Sequence, residues 1–202
     1  LKLKPVFKET IWGGDRLKKE FSKKCDLKRL AESWELTCRK DEMNLIANGR
    51  YAGMTLGEYI GDFNDFPLLV KLIDANDRLS IQVHPDDDYA RKNENTGYGK
   101  TDMWYIVDAL PGAQIVYGLK GQFNRDEFSK AISSGSLQGL LNYTDVHKGD
   151  VFFIPSGYVH AIGSGIIIAE IQQSCDITYR VYDYDRTDAS GNKRELHVEK
   201  AL

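Results

Sequence analysis

A histidine that follows a strand and a tight turn is the clearest candidate metal ligand in this sequence. The predicted strand is Val151–Ile154, and Pro155 and Gly157 form a turn that ends it shortly before His160. At the rim of a β-barrel, such a turn would aim the histidine into the mouth of the barrel. The sequence therefore predicts that His160 faces a buried site.

Three side chains upstream could complete that site. Gln82 and His84 are two residues apart in an apolar segment, and this spacing places both side chains on the same face of a strand. Asp102 opens the next predicted strand and can supply a carboxylate. Nitrogen and oxygen ligands with little sulfur suit zinc, iron, manganese or nickel. Three or four protein ligands leave a position open for substrate or water, which is typical of a catalytic metal site.

The same histidines have a structural interpretation. A histidine directly before a proline, such as His84, is more often a surface or capping residue, and it is the setting of His160 that favours a metal site for the pair. His147 lies in a polar turn and His197 in a charged stretch. We expect these last two residues to be structural or solvated.

Short strands separated by turns that contain glycine or proline must position these residues. Strands are predicted at 5–7, 33–37, 66–74, 79–84, 143–147, 151–154, 166–172 and 178–182, and a hairpin through Pro111 and Gly112 joins 103–107 to 114–117. Helices are predicted at 56–63, 125–134 and 137–142, with caps at Thr55 and Asn124. A further short helix is predicted with Asp86–Asp88 at its start and its end at Asn93. Many short strands with helices added on one side indicate a barrel or a sandwich.

Composition excludes several classes of function. The chain has 202 residues, which suits one full domain, or one domain with part of a second. Its net charge of -3 argues against a general nucleic-acid-binding protein. No apolar run is long enough to span a bilayer, and no signal peptide is visible. Three scattered cysteines do not form a disulfide framework, so we expect a reducing, cytoplasmic location. Together with the charge and the lack of a long apolar run, we expect neither a membrane nor a nucleic acid as a partner.

Several long segments, in the right order, resemble the type I mannose-6-phosphate isomerases, and most of all their short bacterial form. These segments are residues 11–14, 79–87, 99–106, 155–162, 178–186 and 194–197. The spacing of Gly149, Pro155, Gly157 and His160 also matches a cupin motif, although Ser164 stands where that motif usually has asparagine. The resemblance implies a mainly β fold, a cupin-type β-barrel (jelly roll) with a few added helices.

The resemblance also implies a reaction and a domain organisation. The family interconverts mannose 6-phosphate and fructose 6-phosphate, an aldose–ketose isomerisation that passes through an enediolate and depends on one zinc ion. Residues 1–202 would be the cupin-type metal-binding catalytic domain, with a helical insertion near 124–142. The family's smaller C-terminal β-domain would be missing or truncated after residue 202. The substrate partner would be a small sugar phosphate, and the oligomeric state stays open.

The resemblance assigns roles to particular residues. It implies metal ligands at His84, Asp102 and His160 with Gln82 as a ligand or near neighbour, although the position of Asp102 is usually glutamate in the family. It implies catalytic roles for Arg180 and for Lys100 in the pocket. We expect the substrate-binding residues to include Trp12, Ser80, Asp176 and Arg186, with Arg186 as a candidate for binding phosphate.

Two of these residues keep alternatives open. Glu170 lies among isoleucines, where an unpaired carboxylate is costly, so it is a candidate catalytic base, as is Asp176. Arg180 could stabilise the negative charge of the enediolate or hold the substrate phosphate. It also has tyrosines and aspartates close by and could instead form a structural ion pair or stack on an aromatic ring.

Three functions therefore remain at this level: the isomerase, a non-catalytic cupin module that binds sugar or metal in a regulatory role, and an iron-dependent cupin oxygenase. The segment 178–186 argues against the oxygenase, which has no need of it.

Overall fold

The computed structural model describes residues 1–63, 66–94, 96–188 and 190–202, and most of their regular structure is strand. The strands are β1 (Leu3–Lys4), β2 (Val6–Lys8), β3 (Glu32–Leu36), β4 (Cys38–Arg39), β5 (Glu42–Met43), β6 (Leu45–Ile46), β7 (Leu68–Ala75), β8 (Ile81–Val83), β9 (Asp102–Ala109), β10 (Gln114–Leu119), β11 (Leu141–Asp145), β12 (Val151–Ile154), β13 (His160–Ile162), β14 (Ile166–Gln173) and β15 (Tyr179–Tyr182). The helices are α1 (Arg16–Glu20), α2 (Leu56–Ile60), α3 (Asp87–Asn93), α4 (Arg125–Ser133) and α5 (Val198–Ala201).

Two antiparallel sheets enclose the main core. One has six strands in the order β12-β9-β14-β7-β3-β2, and the other has five in the order β11-β10-β13-β8-β15. Trp104, Ile106 and Ile168 of the six-stranded sheet belong to the same buried cluster as Ile115 and Ile162 of the five-stranded sheet. The prediction of a mainly β fold is confirmed.

Strand β14 explains why the sequence around residue 167 is apolar at every position. Ile166 and Ile168 face the main core between the sheets. Ile167 points to the other side of the sheet, where it packs against Leu17 and Leu30 from the N-terminal segment. Because both faces of this strand are covered, the usual alternation of apolar and polar residues is lost. Each fully buried isoleucine side chain stabilises the fold by about 1.5–3 kcal/mol.

The predicted hairpin through Pro111 and Gly112 is wrong. Strand β9 pairs with β12 and β14, whereas β10 pairs with β11 and β13, so the two strands belong to different sheets. The connection is a tight turn, with Gly112 at a φ of +77°, but it crosses from one sheet to the other. Leu110 N donates to Gly165 O across this corner. A turn sequence fixes the local bend, and the partners of each strand come from elsewhere in the chain.

The helix predictions are correct at their beginnings and less so at their ends. Thr55 forms the expected capping box, and Asn124 caps α4 as expected, within a capping box that was not predicted from the sequence. Helix α2 ends at Ile60, three residues early, because Gly61 takes a φ of +89°. The predicted helix 137–142 is a 3-10 turn over Leu137–Leu140 that leads directly into β11. None of the helices in the described ranges is long and apolar enough to cross a membrane.

Candidate active site

The two sheets bring His84, Asp102 and His160 together. Strand β13 pairs with β8 so that His160 lies opposite Gln82, and His84 follows directly after β8. Asp102 begins β9 in the other sheet. The Nε2 atoms of His84 and His160 are 3.0 Å apart, and Asp102 Oδ2 is 3.5 Å from His84 Nε2. All three side chains are buried, and their ligand atoms lie within 4.8 Å of one another.

The hydrogen bonds of the two imidazole rings leave their Nε2 lone pairs facing each other. His84 Nδ1 donates to the carbonyl of Ile177 at 2.9 Å, and His160 Nδ1 donates to the carbonyl of Tyr158 at 2.7 Å. In a neutral imidazole the second nitrogen then carries a lone pair. Burial lowers the pKa of His84 well below its usual value and that of His160 to about 4, so both rings are neutral near pH 7. Two lone pairs 3.0 Å apart repel each other, and a cation between them removes that repulsion.

The carboxylate of Asp102 adds to this cluster a third side chain with a lone pair that no hydrogen bond uses. Lys100 Nζ donates to Asp102 Oδ2 at 2.5 Å, while the buried Oδ1 has no hydrogen-bond partner among the described residues. Burial raises the pKa of Asp102 to about 6, against the opposing charge of Lys100. Ligand atoms in a tetrahedral zinc site lie roughly 3.3 Å apart, close to the separations found here. These three residues therefore fit a divalent cation, through two nitrogens and one oxygen.

Gln82 borders the cluster with its amide nitrogen. Its Nε2 lies 3.4 Å from His160 Nε2, and its Oε1 accepts a hydrogen bond of 3.2 Å from Ser80 Oγ. An amide oxygen rather than an amide nitrogen would ligate a metal ion. To act as a ligand, Gln82 would therefore have to turn its amide by about 180°. The orientation of this amide could not be predicted from the sequence.

A cavity of about 240 Å³ lies beside the cluster. Its wall contains most of the residues expected to act on a substrate, namely Trp12, Ser80, Lys100, Glu170, Asp176 and Arg180, together with Gln82, which was expected at the metal. It also contains residues that sequence reasoning missed: Thr10, Glu32, Lys71, Thr178 and Arg194. The two sheets therefore gather one polar wall from segments far apart in the chain.

Arg186 does not line this cavity. The backbone at Tyr184 and Asp185 takes left-handed φ values of 58° and 54°, which turn the chain just before Arg186. The guanidinium of Arg186 folds back to donate to Asp183 Oδ1 at 2.5 Å and reaches Asp77 Oδ2 at 3.3 Å. It therefore stabilises this turn, and the expected role of Arg186 in contacting the substrate has no support from its position.

Glu170 lies between two buried lysines. Its carboxylate is 3.5 Å from Lys71 Nζ and 3.7 Å from Lys100 Nζ, and it accepts a hydrogen bond of 2.8 Å from Trp104 Nε1. Burial opposes the ionisation of Glu170, but the two lysines outweigh it and lower the pKa to about 2. Glu32 lies 3.6 Å from Lys71 on its other side. Charges of alternating sign thus run along the wall towards the cluster of His84, Asp102 and His160.

Lys71 could have been found from the sequence. It lies in the middle of an apolar strand, and the alternation of β7 places it on the same face as Leu69 and Ile73, which are buried. A buried lysine is costly without a carboxylate partner. The partners Glu32 and Glu170 lie on the two neighbouring strands, β3 and β14.

Arg180 is held by the segment that follows β15. Its Nη1 donates to the carbonyl of Glu195 at 2.7 Å, and its backbone N–H donates to His197 Nδ1 at 3.3 Å. The buried Nε of Arg180 has no partner in the described part of the chain, and burial lowers the pKa of the guanidinium. Asp176, the other candidate base, lies 2.9 Å from Arg39 Nη2.

Comparisons with known proteins agree with this arrangement. The family model described as phosphomannose isomerase type I, catalytic domain, matches residues 1–102. The mannose-6-phosphate isomerase ManA of Bacillus subtilis (strain 168) is 44% identical over 210 residues, which cover 98% of this chain and 65% of that protein. The mannose-6-phosphate isomerase of Streptococcus mutans is 43% identical over 201 residues, which cover 95% of this chain and 63% of the relative.

The crystal structure of the mannose 6-phosphate isomerase from Bacillus subtilis has the same fold, with a TM-score of 0.92 at 41% identity, over 99% of this chain and 66% of that one. The expectation of a cupin fold is thereby confirmed. The chain spans 63–66% of the length of the curated relatives that it matches. On the family model and this shared fold together, the chain belongs to the phosphomannose isomerase type I family.

Proposed function

We propose that this protein interconverts mannose 6-phosphate and fructose 6-phosphate. The observation that carries the proposal is the buried His84, Asp102 and His160 cluster beside a cavity whose wall contains Lys100 and Glu170. The names of the relatives support the choice of substrate. We further propose that residues 1–202 act as one cupin-type catalytic domain, in which the segment 124–142 is an insertion.

The metal we propose for the cluster is one zinc ion, held by His84, Asp102 and His160, with Gln82 as a neighbour or a fourth ligand. Neutral imidazoles and a carboxylate form a donor set that zinc prefers. When bound, a divalent ion there supplies Lewis-acid stabilisation of the negative charge that develops on a substrate oxygen. Lys100 holds the carboxylate of Asp102 in place, and the two backbone carbonyls hold the histidine rings in the orientation that exposes Nε2.

Glu170 and Lys100 are the groups that we propose to move protons. Isomerisation transfers a proton between C1 and C2 of the open-chain sugar through an enediolate, so it needs a base beside the substrate. With its pKa at about 2, Glu170 is ionised but is a weak base while both lysines face it. When Lys100 turns its N–H donors to a substrate oxygen, Glu170 loses part of that stabilisation and becomes more basic. Binding of the sugar thus increases the basicity of Glu170.

Arg180 supplies a fixed positive charge on the same wall. Its unpartnered Nε and its remaining N–H groups can donate to substrate oxygens, because only Nη1 is engaged by the protein. This arrangement supports a catalytic or binding role over the structural ion pair left open by the sequence. Arg180 forms no ion pair with a carboxylate in the described residues, although Arg194 is close enough to lower its pKa and Asp183 and Glu195 are close enough to raise it.

A coupled assay with mannose 6-phosphate tests the proposal. The protein loaded with zinc should turn over, a chelator should abolish turnover, and added zinc should restore it. In deuterated water the product should carry deuterium at the carbon that exchanges its proton. Lys100→Met should remove activity and only weaken metal binding, since Lys100 is not a ligand but holds the carboxylate of Asp102. Lys120→Met on the surface is the matched control. A zinc-loaded protein that binds the sugar phosphate without turnover would instead indicate the non-catalytic cupin module.

A further inference from the structure

Asp176 lies on the cavity wall, in a connection between β14 and β15 that is neither strand nor helix. The main chain of this connection is held on both sides of Asp176. Before it, Ser174 N donates to Pro67 O at 2.9 Å, and after it the carbonyl of Ile177 accepts from His84 Nδ1 at 2.9 Å. The backbone therefore places Asp176 beside the cavity, but these contacts do not fix the direction of its carboxylate.

One arginine outside the cavity contacts that carboxylate. Arg39 Nη2 lies 2.9 Å from Asp176 Oδ1, and no other side chain of the described residues forms an ion pair or a hydrogen bond with the Asp176 carboxylate. Arg39 is not part of the wall around Asp176 but lines a neighbouring cavity of about 330 Å³. Arg39 thus contacts Asp176 from outside the site and leaves Oδ2 available to a molecule in the cavity.

The hairpin of β4 and β5 fixes Arg39. The residue pairs with Glu42 across the hairpin, and its Nε and Nη2 donate to Asp41 at 3.1 and 3.0 Å. At the base of the hairpin, the buried side chain of Asn44 accepts from Thr37 N at 2.5 Å. A guanidinium is planar and presents its donors in fixed directions. Once it is anchored in this way, it imposes one orientation on the carboxylate that it contacts.

We propose that Arg39 is a positioning residue, which holds Asp176 so that Oδ2 accepts a hydrogen bond from a hydroxyl group of the substrate. The part that concerns the substrate rests on the proposed function, whereas the contact between the two side chains does not. Arg39 itself does not touch the substrate and acts only through Asp176. Such positioning matters because a displacement of about 1 Å in an orienting group can cost up to 100-fold in rate.

A double-mutant cycle on ligand binding tests the proposal. The probe is the open-chain polyol phosphate obtained by reducing mannose 6-phosphate, which keeps the hydroxyl groups but cannot isomerise. Calorimetry on the full chain with zinc measures its Kd. Asp176→Ala should weaken binding by about 10- to 100-fold, the loss expected for a hydrogen bond to a charged group. Arg39→Met should weaken it by about tenfold, because the carboxylate is present but no longer held. The double variant should bind within twofold of Asp176→Ala alone, because Arg39 acts through Asp176.

Three further measurements separate positioning from a general loss of structure. Arg39→Lys should recover part of the binding, since an ammonium group can still pair with Asp176. Arg125→Met, which removes an exposed arginine of α4, is the matched control and should bind the probe like the unchanged protein. Zinc affinity should stay within about threefold in Arg39→Met. If Arg39 only stabilised the connection between the strands, its loss would also loosen the Ile177 carbonyl that holds His84, and zinc affinity would fall with probe affinity.

The outcomes distinguish this proposal from the proposed function. In a folded Arg39→Met variant, probe binding within twofold of the unchanged protein would overturn the positioning role. Losses that multiply in the double variant, or an equal loss of zinc affinity, would overturn it as well. If the unchanged protein turns over mannose 6-phosphate and Arg39→Met keeps its kcat/KM, the isomerase stands and the positioning role fails. If the cycle is non-additive but mannose 6-phosphate is not turned over, the proposed function fails and the positioning role stands.

Discussion

The substitution Glu170→Gln removes one charge from the buried side chains of alternating charge and keeps the shape of the side chain at residue 170. Glutamine has nearly the same volume, and its amide oxygen can still accept the hydrogen bond from Trp104 Nε1. Lys71 and Lys100 keep their other partners, Glu32 at 3.6 Å and Asp102 at 2.5 Å. The substitution therefore isolates the electrostatic contribution of one carboxylate to folding.

The expected loss of stability follows from the pKa of Glu170. Its pKa falls from the ordinary value of 4.5 to about 2 on folding, and each pKa unit corresponds to about 1.4 kcal/mol. The ionised carboxylate thus stabilises the folded state by about 3 kcal/mol at pH 7. Breaking a buried ion pair costs about 3–5 kcal/mol, and the low end applies because both lysines keep a partner.

The pH dependence gives the sign of the effect. The folded-state pKa is the lower one, so the stabilisation is complete above the unfolded pKa of about 4.5 and is lost as pH falls towards 2. At pH 3 the contribution should have decreased to about 1.4 kcal/mol. The difference between the unchanged protein and Glu170→Gln should therefore shrink by about half between pH 7 and pH 3.

Urea unfolding of both proteins without added metal, at pH 7 and at pH 3, measures this difference. Glu35→Gln is the matched control, since Glu35 pairs with Lys23 at 2.6 Å but is partly exposed, and it should cost about 0–1 kcal/mol. A loss below 1 kcal/mol for Glu170→Gln at pH 7, or a loss that does not shrink at pH 3, would refute the electrostatic reasoning.

Three further predictions concern the metal and Arg180. Removal of zinc with a chelator should lower Tm by roughly 5–10 °C relative to protein in a hundredfold excess of zinc over Kd, and calorimetry checks this shift. Asp102→Glu should change zinc affinity by no more than about tenfold, which metal titration measures. It should lower the free energy of unfolding by about 1–3 kcal/mol, because the added methylene overfills a buried position, and urea unfolding measures this loss. His197→Ala should lower kcat/KM by about tenfold and stability by only about 1 kcal/mol, because it removes the bond from Arg180 N to the imidazole and leaves the backbone of Arg180 held on this side only by the bond from residue 197 N to Arg180 O. Steady-state kinetics check the first effect, and unchanged kcat/KM would contradict this role.

Much of the fold could be predicted because strand patterns are local. Alternation in β3, short apolar runs in β12 and β14, and the turn residues beside them located these strands within a residue or two of their observed ends. Strand pairing is not local, and for this reason the turn at Pro111 was interpreted as a hairpin although β9 and β10 belong to different sheets. The end of α2 was also misplaced, since the backbone of Gly61 is left-handed and ends the helix early.

The candidate site also contains residues that local sequence patterns predict and residues that they do not. His160 has a local frame of turn residues, so the sequence could predict that it faces inward. Arg194 gave no such signal, because its place on the cavity wall depends on Asp183, eleven residues earlier, and on the packing of the following segment against β15. Arg186, a predicted substrate-binding residue, does not line the cavity; its guanidinium bonds to Asp183 and Asp77, partners that local sequence patterns do not reveal.

Asp102 shows how backbone position can compensate for side-chain length. Compared with the glutamate usual in the family, an aspartate withdraws its carboxylate by roughly a bond length or more, which by itself places the metal site in doubt. Here Asp102 begins β9, opposite Ile154 on one side and Gln172 on the other, and this register brings Oδ2 to 3.5 Å from His84 Nε2. Since the carboxylate lies beside the histidines with Oδ1 unpartnered, the shorter residue still belongs to a group of three side chains that could hold a metal ion.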